Sequence, residues 1–355
     1  MSILGNRVLR KEDPKFLTVG GSYVDDLRDP LLHGAGWVTY VRSTMAHARI
    51  LSVDVSEALA APGVVAVYTA ADVDLPAEPP EIPLLNQEMK RPFLADGVVR
   101  FVGEPIAAIV TEERHQGEDA AELVFVDYDP LPAVVDVEEA LKDEVVLHEA
   151  AGTNVALLLD FGSDPDLFDG CEVVVRHRLV NQRVAGCPLE VRGVAAAWGP
   201  DGRLTFWVST QAPQANRDAI QKALGLGEGT VRVIAPDVGG GFGPKIGGYL
   251  DEILVAYLAR KVGRPLRWTE TRSENMVAMG HGRGQVQDIA IGGSRDGTVQ
   301  AYKLDIVGDA GAYPMIGGIL PFLTRTMASG VYAIPPKEDD DEAPDAPPRD
   351  DGAER

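Results

Sequence analysis

A run of glycines is the segment of this chain whose residue types are best suited to chemistry. Residues 239–245 read Gly-Gly-Gly-Phe-Gly-Pro-Lys. Residues 231–234 before them have the pattern of a strand, and the apolar residues between 250 and 258 after them recur at helical spacing. Glycine leaves backbone N–H groups unobstructed, and the start of a helix is the positive end of its dipole. The pattern therefore predicts a loop that cradles an anion.

Two familiar phosphate-binding loops do not fit this segment. The loop of nucleotide hydrolases ends in Gly-Lys-Ser/Thr, whereas here Lys245 follows Pro244 and precedes Ile246. A dinucleotide fingerprint that begins at Gly239 requires a glycine at position 244, where proline stands. The loop alone leaves two interpretations open, a ligand site and glycines that only let the helix pack close to the sheet. A free-standing nucleotide-binding protein that uses the glycine loop is a further hypothesis for the chain.

The elements around the loop follow a regular order. Residues 204–208 alternate as a strand that ends at Ser209-Thr210-Gln211, and a helix follows from Pro213 to a stop at Gly225. The helix after the glycine loop ends near Gly263. Elsewhere the patterns predict strands at 36–41, 64–68, 98–110 with a break at 103–105, 285–291 and 298–307, and helices at 56–61 and 112–124.

These elements predict an α+β fold class with two mixed α/β regions in succession. A turn containing Asp296-Gly297 joins the last two strands and predicts a hairpin. The final segment has a run of like charges and no large apolar residue, so it is predicted to be disordered. The predicted divisions are an N-terminal arm at 1–15, a first domain at 16–142, a linker at 143–153, a second domain at 154–335 and an acidic, proline-rich tail at 336–355.

Composition limits the classes of partner. The chain has 33 Lys and Arg against 54 Asp and Glu, a formal net charge of −21. Such a charge repels phosphate backbones and anionic membrane surfaces, which argues against nucleic acid as a partner. No apolar run reaches the roughly 18 residues that a membrane span needs, and no export signal is evident. We expect a protein of the cytoplasm with no membrane span.

The two cysteines limit the cofactors. Cys171 and Cys187 are too few for a disulfide framework, and neither lies in a Cys-x-x-Cys pair. An iron–sulfur cluster needs grouped thiolates. We therefore expect no iron–sulfur cluster in this chain, and two reduced thiols.

Several short segments, taken in order, resemble one family. From about residue 5 to residue 335 the chain resembles the large subunit of the molybdenum hydroxylases. This is the family of xanthine dehydrogenase, aldehyde oxidase and aerobic carbon monoxide dehydrogenase. An ordered set of this kind is much more specific than any one motif. The segments are Val41-Arg42-Ser43, Ala46-His47-Ala48, Pro62-Gly63-Val64, Phe101 to Pro105, Pro188 to Gly193, Ser209 to Pro213 and Val238 to Lys245.

The resemblance implies a fold and an activity. The first domain would be hammerhead-like, and the second would be the first half of a mixed α/β molybdopterin-binding region. The reaction would be oxidation or hydroxylation of an aldehyde, a heteroaromatic compound or a carbon monoxide-type substrate. The cofactor would be molybdenum–molybdopterin, with the cytosine dinucleotide form as one option, and without a flavin in this chain. The partners would be an iron–sulfur subunit and an FAD subunit in a dimer of heterotrimers.

The resemblance also implies site residues. The side-chain amide of Gln211 would hydrogen-bond an oxo ligand of the molybdenum. The backbone of Gly240, Gly241, Phe242 and Gly243, above all the N–H of Phe242, would face the same centre. An amide donates to such a group without offering a competing charge, and a glycine loop adds preorganised donors.

Other residues of these segments have less specific interpretations. Lys245 would either neutralise an anionic group or cap the loop, and the sequence leaves both open. Purine-oxidising members carry glutamate where Ile246 stands, which argues against purine substrates. Glu190 and Arg192 are candidates for a structural ion pair, and His47 for a packed, hydrogen-bonded histidine.

The family's chains are longer than this one, and their later part supplies the base and most pterin contacts. The resemblance therefore implies no catalytic residue within these 355 residues. The alternative hypothesis is a truncated or frameshifted, catalytically inactive fragment, or a pseudoenzyme, of the same family.

Overall fold

The structure is a computed structural model that describes residues 5, 7–162 and 164–334. The tail predicted at 336–355 lies outside the described residues. Contacts divide the chain into two compact units. The first contains the described residues up to Leu158 together with Gln182–Gly284 and Gly308–Leu320, and the second contains Leu159–Asn181, Gln285–Val307 and the described residues from Pro321 onward.

The described elements mix strands and helices along the whole chain. The strands are β1 (Gly36–Arg42), β2 (Ala48–Asp54), β3 (Val64–Thr69), β4 (Val98–Val99), β5 (Pro105–Thr111), β6 (Phe125–Pro130), β7 (Val173–Ala185), β8 (Gly193–Trp198), β9 (Leu204–Val208), β10 (Val231–Ile234), β11 (Leu266–Thr269), β12 (His281–Gly293) and β13 (Val299–Gly308). The helices are α1 (Asp13–Thr18), α2 (Ser56–Ala60), α3 (Arg114–Ala121), α4 (Val137–Ala140), α5 (Pro213–Ala223), α6 (Leu250–Val262), α7 (Arg272–Ala278) and α8 (Leu320–Thr326).

A seven-stranded sheet in the order β10-β9-β8-β11-β1-β5-β3 organises the first unit. Strands from before and after the predicted linker at 143–153 meet in it, because β1 pairs in parallel with β11 through Gly36 and Leu266. A Cβ at position 36 would lie 2.9 Å from the carbonyl oxygen of Thr111, so only glycine permits this approach. The predicted domain boundaries remain a prediction. Strands from before and after the predicted linker at 143–153 belong to the same sheet.

Helix α6 covers the centre of this sheet. It contacts β8 and β11, and its buried residues include Ile253, Leu254 and Leu258. Trp268 on β11 packs into the same core. Each fully buried side chain of this size contributes about 1.5–3 kcal/mol. The helix ends at Gly263, whose φ of +72° is left-handed, as the sequence pattern predicts.

The other two sheets each have three strands. One, in the order β4-β2-β6, lies in the first unit. The other, in the order β13-β12-β7, contributes to the second unit, where the turn at Asp296-Gly297 confirms the predicted hairpin. There Asp296 accepts hydrogen bonds from the N–H of Thr298 and the hydroxyl of Ser294, and Gly297 has a φ of +95°. Among the described residues, no helix is long and apolar enough to cross a membrane.

The fold class is confirmed, and most predicted elements lie within a few residues of their expected positions. Several strands were missed, and for β8 the reason is that its sequence does not alternate. β8 reads Gly-Val-Ala-Ala-Ala-Trp and is buried at five successive positions. A strand covered on both faces shows no polar-apolar period. The elements without a sequence prediction are β2, β6, β7, β8, β11, α1, α4, α7 and α8.

Candidate functional site

The glycine loop connects β10 to the segment before α6 and has an unusual backbone. Gly240 and Gly243 have φ values of +101° and +99°, which only glycine adopts freely. Phe242 between them has a φ of +56°, and its side chain is 75% exposed. Left-handed backbone costs a residue with a Cβ roughly 1–2 kcal/mol. Strain of this kind persists only where the surroundings support it, and it is common at ligand sites.

Two glycines of the loop allow close contact with neighbouring side chains. A Cβ at Gly239 would lie 2.4 Å from the Cβ of Glu190. A Cβ at Gly241 would lie 2.3 Å from Oε1 of Gln211. The loop therefore lies directly against the two side chains, and the sequence-predicted residues Gln211, Gly240, Gly241, Phe242 and Gly243 come together in space.

Gln211 is hydrogen-bonded to the loop through its backbone N–H and through the oxygen of its side-chain amide. Its backbone N–H donates to the carbonyl of Lys245 at 2.9 Å, and its Oε1 accepts from the N–H of Gly243 at 2.8 Å. Its Nε2 has no hydrogen-bond partner among the residues that the structure describes. Gln211 is exposed. The amide thus keeps both of its donors for a ligand or for solvent.

The middle of the loop also keeps its donors. Within the described part of the chain, the backbone N–H groups of Gly240, Gly241 and Phe242 have no hydrogen-bond acceptor. Three consecutive N–H groups and the Nε2 of Gln211 therefore have no acceptor within the described residues, and the Gly243–Gln211 hydrogen bond places them next to each other. Such a set suits an oxygen-rich or anionic ligand.

Lys245 does not point to an outside anion. Its side chain is fully buried, and its Nζ donates to Ser209 Oγ at 2.7 Å and to the carbonyl oxygen of Glu190 at 2.8 Å. The carboxylate of Glu190 lies 3.3 Å from the same Nζ. Burial lowers the pKa of the Lys245 ammonium, and the charge of Glu190 opposes that shift. Of the two predicted roles, the geometry matches the one that holds the loop.

Glu190 and Arg192 do not pair with each other, which corrects one option from the sequence. Arg192 is fully buried, and its guanidinium donates to Asp251 at 2.9 and 3.1 Å. It also donates to Glu270, at 2.6 Å from Nη2 and 3.1 Å from Nε. Arg42 adds a second cation, at 3.2 Å from Asp251. The guanidiniums are matched to carboxylates on other elements because desolvated charges need partners.

The pKa values of two buried acids in this network, Asp251 and Glu252, are shifted in opposite directions. Burial raises the pKa of Glu252 to about 8, although Arg192 favours its ionised form. Burial also works to raise the pKa of Asp251, but the charges of Arg192 and Arg42 and the hydrogen bonds from Arg192 together outweigh it and hold that pKa well below its usual value. The network is therefore ionised at Asp251 and protonated at Glu252 near neutral pH.

Sequence reasoning missed Arg272, which supports the segment next to the loop. Its guanidinium donates to the carbonyls of Pro188 at 2.6 Å and Leu189 at 3.0 Å. The neighbouring Cys187 has a φ of +44°, so this turn is strained. The available signal was the capping box in which Thr271 and Glu274 start helix α7 and fix the position of Arg272.

His47 is a packed residue in the structure. It is buried, and its Nδ1 lies 2.7 Å from the carbonyl oxygen of Pro132. In the described ranges, no group of three or more His, Cys, Asp or Glu residues is arranged to hold a metal ion.

Two family profiles match the chain. The molybdopterin cofactor-binding domain matches residues 147–338, and the aldehyde oxidase and xanthine dehydrogenase a/b hammerhead domain matches residues 18–132. The fold and the profiles define the class as molybdopterin cofactor-binding proteins. More narrowly, the chain belongs to the molybdenum hydroxylase large subunits of the aldehyde oxidase and xanthine dehydrogenase family.

Relatives and solved structures agree with this assignment. The chain is 34% identical over 349 residues to the nicotine 6-hydroxylase large subunit of Paenarthrobacter nicotinovorans, covering 95% of this chain and 42% of that protein. It is 34% identical to the carbon monoxide dehydrogenase large chain of Hydrogenophaga pseudoflava, covering 93% and 43%. The crystal structure of quinoline 2-oxidoreductase from Pseudomonas putida 86 superposes with a TM-score of 0.82 at 36% identity, covering 88% of this chain and 40% of that one.

The chain spans about two fifths of the length of these relatives. The predicted family and the order of the hammerhead and molybdopterin-binding domains are confirmed. The relatives' own names place them in enzymes with several subunits, as in the large chain of carbon monoxide dehydrogenase.

Proposed function

We propose that this chain forms one side of a molybdenum–molybdopterin site in an enzyme that oxidises or hydroxylates a small substrate. Membership of the family supports the cofactor class. The observation that carries the site is the set of unpaired donors, the Nε2 of Gln211 beside the N–H groups of Gly240, Gly241 and Phe242. When bound, the cofactor supplies the redox chemistry of the reaction.

The residues present fit such a group. Metal-oxo and phosphate oxygens accept hydrogen bonds, and the loop offers donors without a charged side chain that would compete as a ligand. The loop has little room for side chains, since a Cβ at Gly240 would lie 3.2 Å from the Cβ of Pro188 and 3.0 Å from the ring of Phe242. In this proposal Gln211 binds and orients an oxo ligand, and the Phe242 N–H adds a second donor.

The substrate class follows from the resemblance and from the residue after Lys245. We propose an aldehyde, a heteroaromatic compound or a carbon monoxide-type substrate. Ile246 offers no hydrogen bond where purine-oxidising members carry glutamate, so purines are disfavoured. Similar proteins include nicotine, quinoline and carbon monoxide enzymes at 34–36% identity and xanthine dehydrogenase subunits at 30–31% identity, so the choice outside the purines rests on Ile246 and not on their names.

The electrons released by the substrate need further carriers. We propose that an iron–sulfur subunit and an FAD subunit hold them, in a dimer of heterotrimers, and that the cofactor is the cytosine dinucleotide form. The free cysteines Cys171 and Cys187 lie in different parts of the sequence, and a cluster needs grouped thiolates. Iron analysis of the purified chain tests this division, and stoichiometric iron with a cluster spectrum would contradict it.

Cofactor loading tests the site itself. The chain is expressed in cells that make the cofactor, and molybdenum and pterin are measured per mole of protein. We expect bound cofactor in the natural sequence and roughly ten- to hundredfold weaker retention in Gln211→Ala, because one hydrogen bond to a charged group contributes about 1.5–3 kcal/mol. Gln214→Ala, an exposed change three residues further on, is the matched control. Equal retention in both variants removes Gln211 from the site.

A further inference from the structure

One buried cluster holds both ends of the glycine loop. At the start of the loop, the N–H of Gly239 donates to Oε2 of Glu190 at 2.6 Å, and the N–H of Glu190 donates back to the carbonyl of Gly239 at 3.1 Å. At the end of the loop, the Nζ of Lys245 reaches Glu190 and Ser209. The loop is therefore closed on itself through the Glu190 side chain.

The same cluster fixes the strand end that carries Gln211. The carbonyl of Lys245 accepts hydrogen bonds from the backbone N–H of Gln211 at 2.9 Å and from the hydroxyl of Thr210 at 3.0 Å. Ser209 donates to Glu190 at 2.6 Å while it accepts from Lys245. Movement of Lys245 would therefore shift the glycine loop and Gln211 together.

The burial of the Lys245–Glu190 pair makes it costly to leave either charge without its partner. The side chain of Lys245 is 0% exposed and that of Glu190 is 14% exposed. A desolvated ammonium is costly unless each of its donors is used. The three acceptors around Nζ, namely Ser209 Oγ, the Glu190 carbonyl and the Glu190 carboxylate, occupy its three donors. No donor remains for an external anion.

We propose that Lys245 and Glu190 are positioning residues, a buried ion pair that keeps the glycine loop in the conformation with its central N–H groups free. The left-handed backbone at Phe242, with a φ of +56°, needs such support, because an unsupported loop would relax to an unstrained form. The consequence for cofactor binding rests on the proposed function. The consequence for the loop does not, since it concerns the chain without a ligand.

Amide hydrogen exchange of the ligand-free chain tests the proposal. The N–H groups of Gly239 and Gly243 are the probes, because both are hydrogen-bonded within the site. We expect Lys245→Met and Glu190→Gln each to speed exchange at these two positions about tenfold or more, since each leaves one buried charge unpaired. Exchange in the core strand β9 should stay unchanged.

The double variant separates charge pairing from loss of packing. Lys245→Met with Glu190→Gln removes both charges, so its exchange at Gly239 and Gly243 should be slower than in either single variant. Lys222→Met is the control, because that lysine is 59% exposed and pairs with Glu78 outside the loop. The proposal is wrong if the single variants leave the exchange rates at Gly239 and Gly243 unchanged. It is also wrong if the double variant exchanges as fast as the faster-exchanging single variant.

A milder change covers the case in which the charge variants do not fold. Ser209→Ala removes one acceptor of Lys245 and one donor to Glu190 without unpairing the charges. We expect severalfold faster exchange at Gly239 and Gly243, with β9 unaffected, and equal exchange would overturn the proposal. Molybdenum content measured in parallel reports on the proposed function alone. A natural chain that binds no cofactor but shows these exchange changes would retain the positioning role and lose the cofactor role.

Discussion

At the scale of single residues, the buried acid Glu252 makes stability depend on pH between its unfolded and folded pKa values. It lies with Arg192, Asp251 and Glu270 in one network, and burial raises its pKa from 4.5 to about 8. Between these two values the folded chain holds a proton that the unfolded chain has released. The contribution of Glu252 to the free energy of unfolding is therefore fully present below its unfolded pKa of 4.5. It is lost as the pH rises to its folded pKa of about 8.

We predict that Glu252→Gln flattens this dependence, because a neutral amide has no proton to lose. The midpoint of urea unfolding, measured at about pH 6 and at about pH 9, should fall less in the variant than in the natural chain. Glu228→Gln, an exposed change, should behave like the natural chain. An equal fall in both variants would show that Glu252 does not hold a proton in the folded state.

At the scale of elements, helix α6 connects the glycine loop to the core. Its C-terminal residue is followed by Gly263, which has a φ of +72° and open space where a Cβ would stand. An alanine there meets no atom, and only its backbone is strained. This position therefore isolates the energy of the left-handed cap from any clash.

We predict that Gly263→Ala lowers the free energy of unfolding by about 1–2 kcal/mol. Gly227→Ala is a suitable comparison, since its φ is not left-handed and the nearest atom to its Cβ is 4.0 Å away. Chemical denaturation of the two variants gives the difference. A loss at Gly263 that is no larger than at Gly227 would contradict the strain argument.

At the scale of the whole first unit, the Arg192 network joins elements that are far apart in the sequence. The guanidinium on the segment before β8 binds Asp251 in α6 and Glu270 after β11, and Arg42 at the end of β1 binds Asp251 as well. The ion pairs thus tie both halves of the seven-stranded sheet to the helix that covers it.

We predict that Arg192→Met costs about 3–5 kcal/mol, because it leaves buried carboxylates without their main cation. Arg232→Met on β10, where the arginine is exposed, should cost less than about 1 kcal/mol. The midpoints of chemical unfolding of the two variants, each compared with that of the natural chain, test this prediction. A small loss at Arg192 would mean that the carboxylates take up protons at little cost.

The sequence by itself determined the local features. The apolar spacing of residues 250–258 and the glycine at 263 marked α6, the Asp296-Gly297 turn marked the hairpin, and the ordered motifs marked the family. These features could be predicted because helical period, turn preference and motif order are properties of neighbouring residues. The grouping of Gln211 with Gly240–Gly243 came from the resemblance and remains a proposal in its chemistry.

Only the tertiary structure decided which charges meet. Arg192 and Asp251 are 59 residues apart, Arg192 and Glu270 are 78 apart, and Lys245 and Glu190 are 55 apart. Sequence proximity suggested Glu190 with Arg192 instead. A buried charge pairs with whatever carboxylate the packing of the whole sheet brings to it, and neighbours two residues apart on an extended segment need not share an environment. The buried strand β8 was hidden for a related reason, because burial on both faces removes the period that sequence reading depends on.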